Sequence, residues 1–176
     1  MDIRRVGLDE LDEVMDLYDD GRRALAALGI DQWQNGRPSR EMIESDIRNE
    51  ELFSYDEDGA RLGCIMLTMR GDENYDLLED GAWETPGTAS SPDYLTIHRV
   101  VTDSRQARRG VASRMLAAAE EYGRVHGARS VRVDTHPGNV RMQGLLAKLG
   151  YRHCGRFFLQ NSPEATTERW AYEKLL

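Results

Sequence analysis

Residues Pro92 to Ser113 read PDYLTIHRVVTDSRQARRGVAS, and the rest of the chain is organised around them. Tyr94 to Val101 is an apolar run rich in β-formers. It passes through a polar loop to Arg108-Arg109-Gly110-Val111-Ala112 and then into an alanine-rich segment with helical spacing. Strand, glycine-bearing loop and helix follow in the order that an anion site at a helix N-terminus requires. First-turn N–H groups have no intrahelical acceptor, the helix dipole favours negative charge, and a glycine lets a phosphate come close to the main chain. The stretch reads as a pyrophosphate cradle.

Downstream, Val111, Met115, Ala118, Ala119, Tyr122 and Val125 give a helix with one apolar face, closed by Gly127. Ser130 to Thr135 alternates as a strand with unlike faces, and His136-Pro137-Gly138 is a loop. Asn139 to Leu149 is a helix stopped by Gly150, and Tyr151–Gln160 and Trp170–Leu175 are two closing strands. Upstream, Asp2 to Val6 is a short strand, and Leu11, Val14, Met15, Leu17, Tyr18, Leu25 and Leu28 mark a helix ended by Gly29. Ser39 caps a second helix carrying Met42, Ile43 and Ile47. Leu52–Tyr55 and Leu62–Met69 flank the turn Asp56–Gly59 as a hairpin. Gly71 to Pro92 has no periodicity; a loop of that length in a compact domain is read as functional or disordered, with Tyr75 and Trp83 favouring a lid or pocket wall. The order is β-α-α-β-β-β-α-β-α-β-β, a mixed α/β layer architecture without internal repeats.

Composition narrows the function classes. The 176 residues, 40% hydrophobic, are expected to form one domain over 1–176 with a substantial core. No apolar run is long enough for a spanning helix, and Met1 to Arg5 lacks the apolar core of a signal peptide, so a cytoplasmic protein without a membrane partner is expected. Cys64 and Cys154 have no metal-like spacing and read as buried thiols. A net charge of -8 argues against a nucleic-acid partner. The charge is unevenly spread: Arg99 to Arg132 holds eight arginines, whereas Asp72 to Glu84 holds six carboxylates and no Lys or Arg. One region would suit an anionic cofactor and the other a cationic substrate, or both are solvated surface.

With these motifs in place the chain resembles the GNAT superfamily of acyl-CoA-dependent N-acyltransferases over essentially its whole length. The family's cofactor loop follows Gln/Arg-x-x-Gly-x-Gly/Ala; Gly110 and Ala112 occupy its last two defined positions, and the first is Ala107. Its second mark, an Asn followed by a helix ending in Lys-x-Gly-Phe, is matched by Asn139, Lys148, Gly150 and Tyr151. The resemblance implies a mostly antiparallel central sheet flanked by helices and acetyl-CoA as co-substrate, with no metal. It implies that Arg108 to Ala112 hold the pyrophosphate, with Ser113 opening the helix and Val111 within the cradle. Arg105, Arg108 or Arg109 would reach the outer phosphate, Val100 and Val101 would pair with the pantetheine arm, and Asn139 would bond near it. Many members place a tyrosine seven residues after the motif Asn, as donor to the departing thiolate; here the position is Leu146.

The implied reaction is attack of a neutral primary amine on a thioester, so a base is needed. His98 is the first candidate, against a strand histidine that merely hydrogen-bonds. Asp134 and His136 form the second group, against a reading of Asp134 as partner of Arg99 or Arg132, and against a metal site of Asp134, His136 and His153. Trp33 is a packing residue under a loop or an acceptor-facing wall, alongside Tyr75 and Trp83. The acceptor would be a small cationic molecule or a protein amino group, and the resemblance allows a homodimer. The alternative is a non-catalytic acyl-CoA-binding regulatory or scaffold domain.

Overall fold

The computed structural model describes residues 3–106 and 109–176. Among them run β1 (Arg4–Arg5), α1 (Leu11–Ala26), α2 (Arg40–Arg48), β2 (Leu52–Glu57), β3 (Ala60–Thr68), β4 (Tyr94–Thr102), α3 (Val111–Val125), β5 (Ser130–Thr135), α4 (Val140–Lys148), β6 (Arg152–Phe158) and β7 (Glu168–Leu175). The order is the one read from periodicity, and the seven strands pair mostly antiparallel. The elements fall into two compact units, Met1–Leu67 with His98–Ala119, and Thr68–Ile97 with Glu120–Leu176.

In the first unit the strand order is β1, β2, β3, then the second half of β4. Asp58 and Gly59 join β2 to β3 with φ of 52° and 76°. A two-residue hairpin turn demands positive φ at both positions, and Asp-Gly adopts it at little cost. Glu57 therefore already pairs with Ala60, and the turn is tighter than the four residues read from sequence. The apolar stripe of α1, through Leu11, Val14 and Tyr18, packs on Ile43 and Ile47 of α2 and on Leu52, Cys64, Met66 and Val101. Cys64 is a free thiol that burial pushes up to about 12.

The second unit has the strand order of the first half of β4, then β5, β7 and β6. The parallel ladder of β4 with β5 runs from Tyr94↔Ser130 to Ile97↔Val133. Arg132, on the polar face of β5, is fully buried rather than solvated. Its Nε donates to Glu173 Oε1 at 3.0 Å, and its Nη atoms donate to the carbonyls of Thr85 (2.7 Å) and Gly87 (3.0 Å). The guanidinium lies 4.3 Å from the ring centre of Trp83 and 3.9 Å from that of Tyr94. A buried cation is tolerable only when so completely bonded. The bonds tie the Gly71–Pro92 segment to β5 and β7, which corrects its reading as a lid. A 3-10 turn over Glu73–Leu77 buries Tyr75 among Tyr94, Phe157 and Ala171. No helix of the described residues is long and apolar enough to cross a membrane.

Candidate active site

In the first unit, α3 opens at Val111, with Arg114 N donating to Gly110 O at 3.1 Å. The amides of Val111, Ala112 and Ser113 thus precede the helix's own acceptors. Gly110 has φ of 76°, and among the described residues a Cβ built there would find only an Arg114 guanidinium nitrogen, at 3.9 Å. Open space above a glycine among the described residues, beside the amides of a first helical turn, fits a phosphate group. Ala107 and Arg108 lie outside the described residues. Arg105 forks Asp103 at 2.9 and 2.8 Å, and its guanidinium holds that carboxyl below the ordinary aspartate range. Arg109 donates to Glu57 (3.1 Å) and Gln106 (2.6 Å). Both arginines would have to exchange an existing partner to reach a phosphate.

Behind this loop, Val101 is buried against α1, where a Cβ on Gly21 would meet its Cγ2 at 2.7 Å. Val100 and His98 are half-buried. Between them Arg99 takes φ of 52°, a left-handed conformation that costs a non-glycine residue about 1–3 kcal/mol. Two contacts hold it. The Tyr18 hydroxyl donates to the Arg99 carbonyl at 2.9 Å, and an Arg99 Nη lies 3.0 Å from Asp46 Oδ2. Burial pushes the Asp46 carboxyl up to about 6; Arg99 and His98 oppose the rise, and Glu51 adds to it. Sequence reasoning missed Tyr18 and Asp46, because each occupies an inward position of an amphipathic helix and neither belongs to a motif. Trp33 is half-buried, edge-on to Tyr18 with 5.7 Å between ring centres, as a packing residue would be.

In the second unit, Asp134 accepts from the buried Tyr75 hydroxyl at 2.9 Å. Arg169 lies beside it at 3.7 Å, and Arg132 pairs with Glu173. Arg169 also pairs with the buried Glu164 and donates to the carbonyls of Thr166 and Glu168, fastening the β6–β7 connection. Tyr75 and Trp83 are turned inward rather than presented as a wall: the Trp83 indole donates to the Tyr75 carbonyl at 2.8 Å and its face is covered by Arg132. His136 is buried, and its Nδ1 accepts from Gly138 N at 2.9 Å, so the neutral ring carries its hydrogen on Nε2. Asn139 caps α4 by accepting from Met142 N at 3.2 Å, which leaves its side-chain NH2 to donate elsewhere. Leu146 is fully buried. The acidic segment spends much of its charge internally. Asp72 and Asp76 accept from backbone amides, Asp80 and Glu84 pair with Arg156 and Arg152, and Glu73 and Glu79 have no ion pair among the described residues. No group of three or more His, Cys, Asp or Glu among the described residues is placed to hold a metal ion.

The chain belongs to the Acetyltransferase (GNAT) family, whose model matches residues 11–151. The mixed α/β fold is that of its structural neighbours. A GNAT-family acetyltransferase from Streptococcus agalactiae is 33% identical, with 99% of this chain and 94% of that one covered and a TM-score of 0.82. Two further structures share the fold at lower identity. One, a GNAT-family acetyltransferase from Listeria monocytogenes, is 20% identical (99% and 94% covered, TM-score 0.74). The other, PaiA N-acetyltransferase from Thermoplasma acidophilum in complex with coenzyme A, is 14% identical (99% and 98% covered, TM-score 0.69). Among curated proteins none matches the chain.

Proposed function

We propose that this acetyltransferase moves the acetyl group of acetyl-CoA directly to a primary amine, with residues 1–176 acting as one N-acyltransferase domain. The observation that carries the reading is the turn at Gly110: a left-handed glycine with open space around it among the described residues, leading into the first-turn amides of Val111, Ala112 and Ser113. Arg105, Arg108 and Arg109 serve the outer phosphate. The main chain of Val100 and Val101 takes the pantetheine arm and donates to the thioester oxygen, where negative charge develops. Asn139 offers its remaining donor to the cofactor.

The amine nitrogen bonds to the carbonyl carbon, the carbon–sulfur bond breaks, and the products are an amide and the CoA thiolate, which then takes a proton from water. The proton lost by the amine passes to His98, directly or through water, with Asp134 and His136 as the second group for proton transfer. Leu146 offers no proton to the sulfur, and a thiolate with a pKa of about 8–9 leaves without one. Trp33 borders the acceptor in the first unit, and Tyr75 and Trp83 act within the second unit by anchoring the acidic segment. The acceptor is a small cationic molecule or a protein amino group, supported by the net charge of -8 and by Glu73 and Glu79.

The test is thiol release from acetyl-CoA across amines of both charge classes, with a thermal shift on CoA alone. Turnover on cationic amines is expected. Turnover on acidic acceptors alone overturns the acceptor class, and CoA stabilisation without turnover on any amine overturns catalysis in favour of a binding domain.

A further inference from the structure

If Val100 and Val101 receive the acyl arm, their amides need the tightest placement on β4, since an oxyanion donor works only when it is already aimed. The residue before them, Arg99, is the one whose backbone is left-handed, at φ of 52°. Two side chains from different helices hold it. Tyr18 of α1 is fully buried and bonds the Arg99 carbonyl at 2.9 Å, restraining the main chain. Asp46 of α2 is 6% exposed and meets the Arg99 guanidinium at 3.0 Å, restraining the side chain. Packing alone accounts for neither polar group. A phenylalanine would fill the place of Tyr18 among Val14, Ile43 and Leu52, and an apolar residue would finish the inward face of α2 without burying a charge.

We propose that Tyr18 and Asp46 are positioning residues that lock the kink of β4 at Arg99 and thereby aim the Val100–Val101 main chain at the acyl thioester. The lock rests on the assignment of Val100 and Val101 to acyl-CoA given above. It also has a pH signature. Asp46 is faced by Arg99 and His98 from β4, by Glu51 from the α2–β2 connection and by Tyr18 from α1. With its carboxyl pushed up to about 6 by burial, the ion pair is made above that pH and released below it.

Calorimetric titration separates the lock from general folding. The unaltered chain, Tyr18→Phe and Asp46→Asn are each titrated with acetyl-CoA and with adenosine 3′,5′-bisphosphate, which has the nucleotide end but no pantetheine arm. Acetyl-CoA binding is expected to weaken about tenfold in each variant, the scale of one lost hydrogen bond for Tyr18→Phe and of one lost ion-pair contact for Asp46→Asn, while bisphosphate binding stays unchanged. In the unaltered chain acetyl-CoA affinity falls as pH drops through 6, and in Asp46→Asn this fall is reduced. Equal weakening of both ligands, or of neither, in folded protein overturns the lock. Should Asp46→Asn fail to fold, Tyr18→Phe, which removes a single oxygen, decides by the same pair of ligands. An unaltered chain that binds neither ligand overturns the acyl-CoA reading itself, an outcome distinct from failure of the lock alone.

Discussion

Replacing Arg132 by methionine probes the interaction that orders the acidic segment. The substitution keeps most of the apolar volume between Trp83 and Tyr94 but removes the cation from a fully buried pair with Glu173. Removing one partner of such a pair costs about 3–5 kcal/mol, because the other charge stays buried without compensation. Two features bear on where in that range the loss falls. Glu173 keeps the hydroxyls of Thr85 and Ser130, each at 2.6 Å, and the Glu84 amide, which softens the penalty. The carbonyls of Thr85 and Gly87 lose their donor, which adds to it. A loss of about 4 kcal/mol is expected, equivalent to a fall in Tm of roughly 8–16 °C for a chain of this size.

Equilibrium urea unfolding followed by tryptophan fluorescence measures the loss. Adding Glu173→Gln to Arg132→Met should restore part of it, since the stranded charge is then gone. The pH dependence has a definite sign. Burial pushes the Glu173 carboxyl up, but the hydrogen bonds from Ser130, Thr85, the Glu84 amide and Arg132 outweigh it, and the net shift is downward. Its stabilisation is therefore complete above the ordinary glutamate range and is lost as pH falls through the depressed native value. In Arg132→Met the deficit should instead shrink as pH drops below the glutamate range, because a proton relieves the stranded carboxylate. A loss under about 1 kcal/mol, or a double variant no more stable than the single one, would refute the reasoning.

Other consequences are as direct. Gly63→Ala should destabilise by about 1–3 kcal/mol in urea unfolding, since its Cβ would lie 2.8 Å from both Met115 Sδ and the Val101 carbonyl oxygen. Glu10 is held down to about 2, first by its hydrogen bonds from Arg4 and against the opposing effect of burial. The stability gap between the unaltered chain and Glu10→Gln should thus be constant above the ordinary glutamate range and close as pH falls from there towards 2. At the cofactor turn, Gly110→Asn tolerates the left-handed backbone yet places a side chain in the open space, so acetyl-CoA affinity should drop with the fold retained. Gly110→Val adds strain of about 1–2 kcal/mol to the same obstruction. His98→Ala should lower turnover more than cofactor affinity, and equal turnover across the pH range would remove His98 as the base.

Local readings succeeded where a short stretch contains its own cause. Gly127 and Gly150 end α3 and α4 because both take positive φ, of 81° and 82°. Ser39 and Asn139 cap the helices that follow them, and Ser130–Thr135 forms a strand within the limits read from its alternation. The glycine turn into α3 was legible for the same reason: Gly110 and the first turn of α3 are neighbours in sequence. The acidic segment was misread because what orders it lies elsewhere. Arg132 looks like any polar residue of an alternating strand until Glu173, Thr85 and Trp83 are seen around it.

The amino-acid order by itself thus determined the succession of strands and helices, the left-handed turn at Gly110 and the family to which they belong, since these depend on periodicity, caps and residues a few positions apart. Only the tertiary structure decided which charges are spent internally and which backbone is held under strain. Asp46 and Arg99 are 53 positions apart, Tyr18 and Arg99 81 positions apart, and Arg132 and Glu173 41. No local pattern encodes a partner at that separation; burial and bonding geometry select it when the chain packs.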